Sequence, residues 1–225
     1  VTILAVKIGE AMNFSLPQLK EIEMAGILHD VGKLGIGEEV LEKPGRLTEE
    51  EFREMKMHPG IGHDIIKTIT LPENVKKAVL HHQEKFDGTG YPQGLKGEEI
   101  PIYARIIAVC DSYDAMTSDR VYRKSMGKDF AISEIKRCSG TQFDPEVVEV
   151  FLNNKIYDIP WFEVNEEIVN KLKDKIPYDK LKNLINKKFP EKEIFIYELE
   201  KLKFSEEEIE IMLNYAYDSQ KNLLK

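Results

Sequence analysis

Cysteine is nearly absent: Cys110 and Cys138 are the two in 225 residues. Two such residues make neither a disulfide framework nor a CxxC zinc knuckle. No apolar run approaches the roughly 20 residues of a membrane helix, and no secretory leader pattern is present, so no membrane segment is expected and a reducing cytoplasm is the simplest setting. Positive charge is in deficit, with 32 Lys and Arg against 40 Asp and Glu and a net charge of −8. That balance argues against a polymeric nucleic-acid partner, whose binding rests on phosphate neutralisation. It leaves room for a small anionic ligand, because a bound metal sets its own local charge. Histidine is missing from the last 143 positions, and residues 156–225 contain neither Arg, Gly nor His. The chain opens at Val1 inside an apolar helical pattern, which reads as a fragment whose upstream part is missing.

What is present is helical periodicity. Val1, Leu4, Ala5, Ile8 and Met12 recur at helix spacing. Ser15 with Gln18, and Thr48 with Glu51, have the spacing of capping boxes that start the next helices. Pro59 should break or kink a helix, while Pro72, Pro101 and Pro145 sit where helices begin. Residues 83–99 hold Gly88, Gly90, Gly94, Gly97 and Pro92 and read as a structured loop. Past about 155 the composition shifts to 12 Lys and 15 acidic residues, cut by Pro160, Pro177 and Pro190. The expectation is an all-α protein: a main helical domain over 1–155 and a small helical extension over 156–225. Cys110 and Cys138 read as small core residues.

All five histidines fall within residues 29–82. His29-Asp30 ends an apolar helix, His81-His82 ends another, Asp111 follows Ile106-Ile107-Ala108-Val109-Cys110, and His58 precedes a proline. Burying a carboxylate beside an imidazole is unfavourable unless something compensates, and a metal ion does so. Six donors exceed what one catalytic metal uses. Two metals sharing an aspartate would use them, activate a bridging hydroxide and clamp a phosphoryl group. Nitrogen and oxygen donors without thiolate favour iron or manganese over structural zinc. The residues by themselves thus describe a candidate binuclear phosphohydrolase.

The segment Leu28-His29-Asp30-Val31-Gly32-Lys33 resembles the signature of the HD superfamily of metal-dependent phosphohydrolases. The run from His81 through Asp87-Gly88-Thr89-Gly90-Tyr91-Pro92 is similar to the extended motif of its HD-GYP subfamily. So are Gly94-Leu95-Lys96-Gly97, Ala104-Arg105-Ile106 and the stretch from Asp111 to Ser118 with Arg120 and Tyr122-Arg123. The resemblance spans residues 1 to about 152.

It implies an HD-type helical bundle and a bacterial, metal-dependent phosphodiesterase that opens cyclic di-GMP to pGpG or GMP. His29, Asp30, His58, His81, His82 and Asp111 would be metal ligands, with Asp30 bridging two, or three, divalent ions. Lys33 would stabilise charge on the scissile phosphate. Arg120 and Arg123 would hold the nucleotide, Tyr91 and Pro92 would shape its pocket, and Asp114 would support Asp111 from one turn away. A further His, and in trinuclear members a Glu, would lie just upstream of Val1. The implied partners are cyclic di-GMP, an upstream sensor domain or a diguanylate cyclase-type protein, and a second copy in a homodimer. The competing readings are a non-catalytic cyclic-dinucleotide-binding or protein-interaction module, and an HD phosphohydrolase for another nucleotide.

Overall fold

The computed structural model describes residues 1–118, 124–158, 162–163, 166–184, 188–189 and 192–213. They fall into two compact units, Val1–Tyr157 and Asp158–Lys225. Among the described residues the fold is all-α apart from one two-residue ladder in the second unit.

In the first unit α1 (Thr2–Ala11) and α2 (Leu16–Leu28) form an antiparallel start. Ser15 and Gln18 make the expected capping box: the Gln18 Oε1 atom accepts from the Ser15 backbone N–H at 2.9 Å. A 3-10 turn, Val31–Gly35, and the short α3 (Glu38–Leu41) follow. Thr48 and Glu51 cap α4 (Glu49–Met55), and Thr48 N–H donates to Glu51 at 2.7 Å. Pro59 does not kink a continuous helix. The chain stops after Met55 and restarts as α5 (His58–Ile66) with Pro59 in its first turn, where a missing N–H leaves no hydrogen bond unmade.

Next come α6 (Glu73–His81), the glycine-rich loop, and α7 (Ile102–Thr117), then α8 (Lys128–Arg137) and α9 (Pro145–Asn153). The longest of these, α7, is packed against α1, α2, α6, α8 and α9. Its Ala104, Ile106, Ile107, Val109 and Cys110 are fully buried. Arg105 donates to the buried Asp144 carboxylate, which also accepts from Glu146 N–H at 2.9 Å as the cap of α9. One ion pair thus ties α7 to the start of α9.

The second unit has its own core of Ile168, Val169, Leu172, Ile176, Leu181, Leu184, Phe195, Leu199, Phe204 and Met212. It contains α10 (Glu166–Leu172), α11 (Tyr178–Leu181) and α12 (Lys192–Lys201), with further helix at 206–213. Phe162 pairs with Phe189 and Glu163 with Lys188 in the antiparallel ladder, which helical periodicity does not anticipate. Among the described residues, no helix is long and apolar enough to cross a membrane.

Candidate metal centre

Four elements deliver the donors. His29 closes α2 and Asp30 follows it, His58 opens α5, His82 ends α6, and Asp111 lies mid-way along α7. Gly32 makes the approach of the first two segments possible. A Cβ there would lie 1.8 Å from the His58 carbonyl oxygen and 2.5 Å from the Gly62 nitrogen. Without a side chain, the turn after Asp30 seats directly on the start of α5.

Three imidazoles share one orientation. Nδ1 of His29 donates to the Gly26 carbonyl at 2.7 Å, that of His58 to Met55 at 2.7 Å, and that of His82 to Val79 at 2.8 Å. A carbonyl only accepts, so each Nδ1 carries the hydrogen and each Nε2 turns a lone pair inward. This is the second-partner arrangement that fixes the tautomer of a ligating histidine.

Asp30 lies between two donor groups, one with His58 and His82 and the other with His29 and Asp111. Its Oδ1 is 3.6 Å from His58 Nε2 and 3.9 Å from His82 Nε2. Its Oδ2 is 3.3 Å from His29 Nε2 and accepts from Lys33 Nζ at 2.7 Å. Asp111 Oδ1 lies 4.0 Å from His29 Nε2. The two oxygens of one carboxylate therefore face two different sets of donors.

These residues fit a metal on their own geometry. His58 Nε2 and His82 Nε2 are 3.1 Å apart, both with lone pairs inward. Two such lone pairs repel unless a cation or proton separates them. Adjacent nitrogen ligands at right angles lie about 3 Å apart when metal–nitrogen bonds are about 2.0–2.1 Å long. His29 Nε2 and Asp30 Oδ1 are buried without a hydrogen-bond partner, as donors directed at an ion would be.

The electrostatics agree. Burial, and then the neighbouring His29 and His58, lower His82 to about 3, so it is a neutral ligand at neutral pH. Burial likewise lowers His58. For His29 burial also works downward, but contact with the Asp30 carboxylate, its charge and the Gly26 carbonyl outweigh it and raise the imidazole above its usual 6.5. Burial would raise Asp30, yet His29 and Lys33 hold it far below the carboxylate range. Asp30 is thus an anion throughout the physiological range.

The glycine-rich loop closes over the centre. Glu84, itself buried, accepts from Gln93 N–H at 2.7 Å and Gly94 N–H at 3.1 Å. At Gly90 a Cβ would stand 2.2 Å from the Lys85 nitrogen, so only glycine lets the loop fold back. Tyr91, which follows, donates from its hydroxyl to Gln83 Oε1 and from its backbone N–H to Gln83 O, both at 3.2 Å. Burial first, then the charges of Asp111 and Asp30, push the Tyr91 phenol up to about 12, so it remains a donor.

Two cavities adjoin the donors. One of about 60 Å³ is lined by His82, Glu84, Asp111, Ser112 and Gln142 among others. A larger one of about 480 Å³ runs from Lys33, His58 and Asp111 to Val40, Leu41, Leu47 and Met55. Gln83 and Tyr91 line both.

His81, expected as a ligand, has surroundings of its own. It belongs to neither donor group. Its Nδ1 is buried without a hydrogen-bond partner, 3.8 Å from Glu84 Oε1. Consecutive helical side chains diverge by about 100°, so the two adjacent histidines meet different neighbours. Pro92 is exposed. Asp114 Oδ1 lies 3.8 Å from the Val1 nitrogen. Arg120 and Arg123 lie outside the described residues. Sequence reasoning assigned no role to Gln83, Glu84, Ser112 or Lys43. Only the position of Gln83 and Glu84 inside the loop motif could have marked them.

A helical bundle gathering histidine and aspartate donors around one shared carboxylate defines a metal-binding helical protein. A family model described as HD domain matches residues 1–147, and the chain belongs to that family. Its Gly-Tyr-Pro loop is the mark of the HD-GYP subfamily. A cyclic di-GMP phosphodiesterase of Thermotoga maritima is 44% identical over 168 residues, covering 73% of this chain and 46% of that protein. A cyclic di-GMP phosphodiesterase of Vibrio cholerae is 48% identical over 132 residues, covering 56% and 27%. The chain thus spans less than half the length of either relative. Among solved structures, the HDG"Y"P protein Bd1817 from Bdellovibrio bacteriovorus superposes with a TM-score of 0.57 at 17% identity, over 70% of this chain and 51% of that one.

Proposed function

We propose that this chain is the catalytic part of a metal-dependent phosphodiesterase that hydrolyses cyclic di-GMP to pGpG or GMP. One observation carries the reading: a single carboxylate, Asp30, presents its two oxygens to two separate donor groups, and members of both, His58 and Asp111, line a ligand-sized cavity. The names of the Thermotoga and Vibrio relatives support the choice of substrate.

The proposed cofactor is a pair of divalent ions, iron or manganese, held by His29, Asp30, His58, His82 and Asp111. When bound, they would supply an activated water and a positive field for the phosphoryl oxygens. The chain's own groups do the rest. Nδ1–carbonyl bonds keep three imidazoles in the ligating tautomer. Lys33, anchored on Asp30, directs an ammonium into the cavity, where it stabilises charge developing on the phosphate. Tyr91, locked on Gln83, presents a neutral phenol beside the reacting phosphate. Arg120 and Arg123 are the proposed nucleotide-holding groups. We assign this chemistry to residues 1–155, with 156–225 as a helical extension, and place the chain in a bacterial cytoplasm.

The test is anaerobic turnover. The iron- or manganese-loaded chain is given cyclic di-GMP and, separately, 3′3′-cGAMP, and the products are resolved by chromatography. Metal-dependent pGpG or GMP is the expected result. Binding of cyclic di-GMP without turnover, or preference for a mononucleotide, would overturn the reading.

A further inference from the structure

Lys43 is the one remaining cation among the described residues lining the 480 Å³ cavity once Lys33 is accounted for. It lies just past α3 and shares that lining with Val40, Leu41, Leu47 and Met55. Its ammonium is not loose. Nζ donates to Glu51 Oε1 at 2.7 Å and to Oε2 at 2.6 Å. Glu51 in turn accepts from Thr48 N–H at 2.7 Å, so the same carboxylate closes the 43–48 turn and aims the lysine. The side chains of both partners are about 70% buried, with 29% and 27% exposure.

Lys33 has the same construction. Its Nζ is held by Asp30 at 2.7 Å and it lines the same cavity. Two lysines whose ammonium groups are held by carboxylates therefore line one cavity, one of them held by the candidate metal ligand Asp30. An ammonium has three donors. With two engaged on Glu51, one is left for a further acceptor. A cyclic dinucleotide has two phosphodiesters. The one being cleaved belongs at the metal centre with Lys33, which leaves the other to be met by further cations, for which Lys43 is a candidate beside the Arg120 and Arg123 proposed above.

We propose that Lys43 is a substrate-binding residue that holds the second, uncleaved phosphate of the cyclic dinucleotide, with Glu51 as its positioning residue. This rests on the phosphodiesterase reading above and deepens it. The contact distinguishes a substrate with two phosphates from one with a single phosphate. It acts on binding and leaves the chemical step to the metal centre.

The experiment is steady-state kinetics of the metal-loaded chain on cyclic di-GMP and on bis(4-nitrophenyl) phosphate, a diester with one phosphate. The variants are Lys43→Met, Lys43→Arg and Glu51→Gln, each checked for thermal unfolding. Lys43→Met should raise KM for cyclic di-GMP by roughly tenfold or more, as loss of a charged hydrogen bond does, with kcat within about threefold. The KM penalty should be at least about fivefold larger for cyclic di-GMP than for the single-phosphate diester. Lys43→Arg should restore most of the affinity, because guanidinium also binds phosphate. Glu51→Gln keeps the cation and should raise KM less than Lys43→Met. Equal KM effects of Lys43→Met and Glu51→Gln, or equal penalties on both substrates, would reduce Lys43 to a loop fastener and overturn the proposal. Should Lys43→Met fail to fold, Lys43→Arg and Glu51→Gln on the two substrates still decide it: a KM change that is the same for cyclic di-GMP and for the single-phosphate diester supports only the loop role and overturns the proposal. A wild-type chain that cleaves the single-phosphate diester but no cyclic dinucleotide overturns the phosphodiesterase reading itself, and this proposal with it.

Discussion

The Nε2 atoms of His58 and His82 stand 3.1 Å apart, each on a ring whose Nδ1 is committed to a backbone carbonyl. Neither nitrogen has a proton to offer the other. The pair is arranged for a cation, and the first expectations concern what happens when the donors around it are removed.

Asp30→Asn keeps the shape and removes the charge shared by the two donor groups. Metal content, measured by elemental analysis after gel filtration, should fall at both positions, and turnover should drop by about a thousandfold or more, since the contact is with the metal itself. Full metal content with normal turnover would contradict the shared-carboxylate assignment.

His81 and His82 are neighbours in sequence with different surroundings. His82→Ala should lower metal affinity by at least roughly 10- to 100-fold, whereas His81→Ala should leave it within about twofold and act on stability alone. Competitive chelator titrations separate the two. Equal losses would mean that the inward orientation of His82 is not what distinguishes them.

Lys33→Met removes the ammonium that faces the cavity from Asp30. The expected effect is a fall in kcat of about a hundredfold, in the range of a lost transition-state donor, with metal content retained. A change confined to KM would reassign Lys33 to substrate binding.

Glu84→Ala leaves the backbone N–H groups of Gln93 and Gly94 without their acceptor. Each such bond to a charged acceptor contributes about 1.5–3 kcal/mol, so thermal unfolding should shift down by several degrees. Gly90→Ala should do at least as much, because its Cβ meets backbone at 2.2 Å. Circular dichroism melts measure both. Unchanged melting in both variants would show that the loop is not anchored in this way.

The pH dependence of the metal-free chain follows from opposing shifts. His58, His81 and His82 are lowered, His82 to about 3. In that window the unfolded chain binds protons that the folded chain refuses, so stability falls as pH drops below 6.5 toward 3. His29 is raised and acts in the other sense: its contribution is full below 6.5 and is lost as pH rises through its folded value. The net expectation is a melting temperature that declines on acidification, three groups against one. Metal binding should release the His29 proton, so apparent affinity should rise with pH above 6.5. A calorimetric titration in buffers of different ionisation enthalpy would detect that proton, and its absence would refute the shift.

Local rules were legible in the sequence where the physics is local. Ser15 with Gln18 and Thr48 with Glu51 cap their helices because the partners are three residues apart. Pro101 and Pro145 stand at helix starts for a similar reason. The restart at His58 was less legible, since a proline can kink a helix or open one and only the tertiary setting chooses. The ladder of Phe162 with Phe189 depends on a pairing across 27 positions, which no short window contains.

The sequence by itself determined the donor chemistry: imidazoles and carboxylates in apolar helices, without thiolate, confined to residues 29–111. It determined the glycines at 32 and 90, whose missing side chains make room for backbone. Only the tertiary structure decided which of two adjacent histidines turns inward, that the oxygens of Asp30 divide between two donor groups, and that Lys43 shares a cavity with Lys33. Residue type states what a group can do. Direction arises from how α2, α5, α6 and α7 pack, and that is a property of the whole chain.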